Sequence, residues 1–204
     1  MLRSLVVAAG CAMAASSLSS TATYALLDVG LHQPAAFAGV LTSVQGIGSV
    51  IGGLAAGALL RRVPARALSA IGLTVFALGA LARLTGLVPV VLGGSLLIGL
   101  GLPWPLISAL TTVQKETPDE LLGRVAATAN TLVFAPTGLA LLAGTAMIAA
   151  LDYRVQLLAA GSLGLATALL LALTARAPHR RNPGEPSGDG RRREVNTEQQ
   201  ARKG

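Results

Sequence analysis

The chain has 204 residues, of which 52% are hydrophobic, 12% charged and 3% aromatic, and it carries a formal net charge of +7. Such apolarity is foreign to a soluble domain, and the single cysteine, Cys11, excludes an intramolecular disulfide framework. The positive charge does not point to nucleic acid, because the basic residues gather on no soluble, foldable face.

A bilayer core of about 30 Å needs about 20 apolar residues as helix, since hydrocarbon offers no water to backbone N–H and C=O groups. Runs of that length at 4–27, 36–60, 67–86, 88–113, 125–150 and 155–175 predict six transmembrane helices in an all-α membrane domain over residues 1–175. Arg83 is the one charge inside these runs, near the end of the third, where its long stem is expected to carry the guanidinium to the interface. Arg3, then Arg61, Arg62 and Arg66, then Lys115 and Arg124, then the Lys and Arg from Arg176 onward fall in alternate connections. Fourteen of the sixteen positive charges thus lie on one side. The positive-inside rule makes that side cytoplasmic, with both termini inside and the chain a multi-pass protein of the cell (inner or plasma) membrane. A cleaved leader within residues 1–17 is disfavoured, because the apolar stretch continues to Leu27 and its basic region is the single Arg3.

In chain order, the first span is rich in hydroxyls: Ser16, Ser17, Ser19, Ser20, Thr21 and Thr23 precede Tyr24. These either bond to backbone carbonyls and smooth helix packing, or form the wall of a polar cavity. Asp28 to Pro34 is expected as an outer loop. In the second span Gly48, Gly52 and Ala56 form one small-residue ridge, Gly53 and Gly57 another, and both suit close helix approach. The third span has few polar groups and is expected to be peripheral and lipid-facing, as is the sixth. Pro103-Trp104-Pro105 should kink or open the fourth span, with Trp104 either an interface anchor or, as its distance from both ends favours, a cavity-lining aromatic. Thr117-Pro118-Asp119-Glu120 fits a capping box, and Glu120 is spaced for an i,i+4 ion pair with Arg124. The fifth span then contributes Asn130, Thr131 and a kinking Pro136. Residues 176–204, rich in Pro, Gly, Arg and Glu, are expected to be a disordered basic cytoplasmic tail that fixes topology and solubility, in preference to one that binds lipid or RNA.

Catalytic chemistry is hard to assemble from these residues. His32 is expected in an outer loop and His179 in the tail, no acid and histidine set can hold a metal within the bilayer, and no G-x-S-x-G motif or phosphate loop is present. Neither an enzyme nor a cofactor is therefore expected. No carboxylate lies inside a span either, although a proton-driven carrier ordinarily titrates a group there.

Six spans, polar in the first, second, fourth and fifth and plainer in the third and sixth, with a basic turn after the second, resemble the C-terminal half of a major facilitator superfamily transporter. Gly57, Arg62 and Arg66 match that family's glycine, aspartate and arginine loop motif, whereas Arg61 stands where an acid is usual and Pro64 replaces a glycine. The loop from Val113 to Val125, including Glu120, Gly123 and Arg124, resembles the one between the tenth and eleventh helices of the macrolide-efflux and enterobactin-exporter-like branch. The resemblance implies a 3+3 helical repeat and a gating role for the matched loop residues Gly57, Arg62, Arg66, Glu120 and Arg124. It also implies export of a small, largely hydrophobic compound along a cavity that Ser16, Ser20, Tyr24, Gln45, Trp104 and Asn130 would line. Its partners would be the lipid bilayer, a small-molecule substrate, and a second six-helix half or another copy of the chain. The alternative expectation is a non-transporting scaffold, or a truncated remnant, that packs with other membrane proteins through its glycine ridges.

Overall fold

The structure, a computed structural model, describes residues 2–176. The expected tail beyond Arg176 lies outside the described residues. Six helices are long and apolar enough to cross a membrane: Leu2–Gly30, Phe37–Leu59, Ala65–Thr85, Val88–Glu116, Asp119–Ile148 and Tyr153–Thr174. The first span is α1 (Leu2–Ala25) continued by a π-helical turn, Leu26–Gly30, and the second is α2 (Phe37–Leu59). The third is α3 (Ala65–Ala82) closed by a 3₁₀ turn, Arg83–Thr85. The fourth is divided into α4 (Val88–Gly101) and α5 (Pro103–Glu116); α6 (Asp119–Ala150) and α7 (Tyr153–Arg176) are the fifth and sixth.

Local chemistry explains most boundaries. Pro103 has no N–H to continue the ladder, so the fourth span breaks at Leu102 as its composition predicts. Pro136, in contrast, sits inside an uninterrupted α6. Asp28 belongs to the π-helical turn and not to a loop: Leu31 N–H reaches back to Leu26 O at 2.9 Å, which carries the helix one turn further than hydropathy indicates. The capping box does not form. Pro118 itself is the cap residue, extended at φ −59° and ψ 146°, so Glu120 falls one position too early to reach back. Asp119 and Glu120 instead lie in the first turn of α6, where the helix dipole favours negative charge.

The contacts between spans obey an internal twofold. The first span packs on the fifth and the fourth on the second; the third packs on the fourth and the first on the sixth; the third also packs on the sixth. Exchanging first with fourth, second with fifth and third with sixth maps this pattern onto itself. Successive spans run in opposite directions, so the exchange relates two inverted three-helix units, and the first and fourth spans are each 29 residues long.

Glycines set how closely these helices approach. Gly48 and Gly52 are buried in the α2–α4 contact, where a Cβ on either would strike the carbonyl of Leu96 or Leu100, and Ala56 continues the ridge onto Leu68 of α3 and Trp104 of α5. The expected second ridge does not pack: a Cβ on Gly53 or Gly57 would meet nothing within 4 Å. Between α3 and α4, a Cβ on either Gly79 or Gly94 would lie 2.6 Å from the other's carbonyl oxygen. Phe76 fills the centre, with Ala15, Ala80, Ile98 and Ala160 from four helices around it.

The third span is therefore not peripheral within this bundle. Half of its most apolar stretch is buried, as in the first span (50% each), against 39% in the sixth, 22% in the second and 11% in the fifth. Polarity is a poor guide to interior position in a bilayer, because lipid tails are as apolar as leucine and helices associate through close packing instead.

Candidate functional site

Gly72, Phe76, Gly79 and Arg83 follow at intervals of four, three and four, so the face of the third span that the glycines press onto α4 and α5 also carries the guanidinium inward. Arg83 is 2% exposed and does not reach the interface as its sequence position suggested. Its Nη2 donates to Ser95 Oγ at 2.9 Å on α4 and to Gln45 Oε1 at 3.5 Å on α2, and its Nη1 to Ser19 Oγ at 3.4 Å on α1. Ser95 turns its own proton to Val91 O at 2.8 Å and so keeps its lone pairs toward the guanidinium. Arg83 Nε is buried without a partner, and among the described residues Arg83 makes no ion pair. One charge thus joins four spans through neutral oxygens alone.

A second polar contact lies on the neighbouring face of α1. Gln156, at the start of α7 and 1% exposed, donates from Nε2 to Thr21 Oγ1, while its Oε1 is buried without a partner among the described residues. Thr21 also donates to Leu18 O at 2.9 Å, and Ser17 and Thr23 bond back to Met13 and Ser19. Much of the hydroxyl content of the first span is accordingly absorbed by its own backbone.

Ser16, Ser20 and Tyr24 behave differently. They recur every four residues along one strip of α1, with Ser16 half-buried, Ser20 exposed and Tyr24 64% exposed. Tyr24 borders an open recess of about 710 Å³, shared with Asp28, Gln33, Asp152 and Tyr153. Gln45 belongs to the Arg83 cluster. Trp104 is buried, 7% exposed, and its indole N–H donates to Gly52 O at 2.9 Å, which clamps α5 against α2.

Asn130 is exposed on α6 but stands apart from that strip. Gly10 faces Leu132 and Thr21 faces Gly144, so α1 and α6 run parallel in a constant register. Asn130 then lies level with Val7, roughly 13 Å along the axis from Ser16 at 1.5 Å per residue.

Of the loop-motif residues, Gly57, Arg62, Glu120 and Arg124 are exposed, and Arg66 is half-buried with its Nε lacking a partner among the described residues. The expected Glu120–Arg124 ion pair is absent from the described side chains: both are exposed on the first turns of α6, where water competes with a pair worth about 0.3–0.5 kcal/mol. Arg83, noted in the sequence but expected at the interface, joins Ser19, Ser95 and Gln156 as buried polar residues that were not among the expected site residues. The glycine spacing ahead of Arg83 is the signal that locates it.

Six apolar spans in two inverted units, joined by an apolar core and a few buried polar contacts, define a multi-pass helical membrane protein. The family model of the Major Facilitator Superfamily matches residues 5–203, nearly the whole chain. The chain belongs to that superfamily and is a transmembrane transporter in that general sense. No curated protein matches it.

Proposed function

We propose that the chain is one six-helix half of an exporter that moves a small, largely hydrophobic compound outward across the cell membrane, with its basic end in the cytoplasm and a second half completing the path. The strip Ser16–Ser20–Tyr24 carries this reading, because Ser20 and Tyr24 are exposed and Ser16 half-buried on a membrane-spanning helix, and none of the three hydroxyls bonds to another described residue. A polar strip at that depth calls for water or a partner, not lipid. The sparsely covered second and fifth spans flank the first and fourth in the contact pattern and would receive the second half. Alternating access then consists of one half rocking against the other around a site between them.

The purified chain reconstituted alone in liposomes is expected not to transport, and to do so once a second half is supplied. Transport by the chain alone would overturn the requirement for a partner. A scaffold that only packs with other membrane proteins is the second reading, and the uncovered ridge Gly53–Gly57 favours it. Substituting Tyr24 and Asn130 separates the two: a carrier loses drug resistance while complex formation persists, whereas a scaffold changes in neither.

A further inference from the structure

A cleft of about 630 Å³ opens between the basic ends of α1 and α6, apart from the Arg83 cluster and from the recess beside Tyr24. Arg3 and Arg124, both exposed, line it together with Val6, Val7, Val113 and Leu132. The register that sets Gly10 against Leu132 puts Arg124 level with Leu2 and Arg3, so the two guanidinium groups share one depth. From that level the apolar lining runs to Leu132, eight residues further along α6, or roughly 12 Å of helix. This length fits within one leaflet, about half of a 30 Å hydrocarbon core.

The cleft is cationic at the membrane surface and apolar toward the middle, which is the complement of an anionic lipid. We propose that it holds an anionic phospholipid of the cytoplasmic leaflet, with the phosphate on Arg3 and Arg124 and one acyl chain along Val6, Val7 and Leu132. Guanidinium groups bind phosphate oxygens through charge-assisted hydrogen bonds, and basic pockets between spans on the cytoplasmic side suit such headgroups. Leu2 and Val6 lie eighteen residues, five whole turns, before Ser20 and Tyr24 and so share their face of α1, whereas on α6 Arg124, Thr128 and Leu132 lie opposite Asn130. The two guanidinium groups at the mouth favour an anionic headgroup over a largely hydrophobic transported compound. A second copy is poorer still, because a symmetric contact would bring its arginines against these.

The test uses the purified full chain in nanodiscs of equal phosphatidylglycerol and phosphatidylcholine, with retained lipid counted by native mass spectrometry. The expected result is about a tenfold preference for phosphatidylglycerol that R3Q/R124Q abolishes and R191Q/R192Q, in the tail, preserves. V7W, which fills the cleft without touching charge, is expected to lower retention of both lipids. It supplies an independent check should the double variant unfold. Equal retention of the two lipids, a preference that survives R3Q/R124Q, a preference lost equally in R191Q/R192Q, or a dimer whose interface shields the cleft would each overturn the assignment. None of these outcomes bears on whether a second half is required for transport, since lipid retention is measured on the chain alone.

Discussion

Arg83 at the end of the third span donates to Ser95 Oγ of the fourth at 2.9 Å, with no carboxylate among the described residues to balance its charge. A membrane-buried charge held only by neutral groups is costly, which is why such residues mark substrate or coupling paths more often than structural joints. The two roles make opposite statements about stability.

Arg83→Met separates them. Removing a buried unpaired charge relieves its desolvation cost, while each lost hydrogen bond is worth about 0.5–1.5 kcal/mol, or about 1.5–3 kcal/mol to a charged group. Ser95 keeps its bond to Val91 and Gln45 is only half-buried, so few groups are orphaned. The variant is expected to unfold within a few degrees of the parent in detergent, while transport by the assembled carrier falls by about tenfold or more. A loss of about 3–5 kcal/mol, as for breaking a buried pair, would make Arg83 a structural strut instead.

Gly99→Ala tests the α2–α4 contact, because its Cβ would collide with the carbonyl of Gln45. Overpacking of this kind costs about 1–3 kcal/mol and should appear as a lowered unfolding temperature. Gly53→Ala, where a Cβ meets nothing within 4 Å, is the matched control and should shift stability by no more than about 0.5 kcal/mol.

Trp104 is the single tryptophan, so its emission reports one site. Its burial and its bond to Gly52 O predict a blue-shifted emission that aqueous iodide quenches poorly. Trp104→Phe is expected to cost about 1 kcal/mol from the lost hydrogen bond, with a further loss from the smaller ring. Efficient quenching of the native chain would place the indole on an open cavity surface.

Tyr24→Ala should leave folding unchanged to within about 0.5 kcal/mol, because the side chain is exposed and makes no hydrogen bond to another described residue. Its effect belongs on the transport assay. A destabilised Tyr24→Ala with normal transport would mean that the ring serves packing.

Hydropathy alone located all six spans, because the bilayer imposes a length and an apolarity that no loop of this chain satisfies. Pro103 likewise announced the break in the fourth span, since a missing N–H acts wherever it falls. Gly48, Gly52 and Ala56 marked a true interface, yet Gly53 and Gly57 carry the same local signal and face nothing. Spacing shows that a ridge can pack, and only a neighbour on that side makes it do so. The placement of Arg83 is the sharpest case. Counting along the helix put it within reach of the interface, but its face is chosen by Gly79 meeting Gly94, a contact between residues fifteen apart that turns the guanidinium toward Ser19, Gln45 and Ser95. The linear pattern by itself determined that this chain crosses a membrane six times, because solvation is a property of each segment alone. Which polar groups meet inside, and which hydroxyls are left open to a partner, was decided by tertiary packing, because a hydrogen bond between spans exists only once both helices have been brought together.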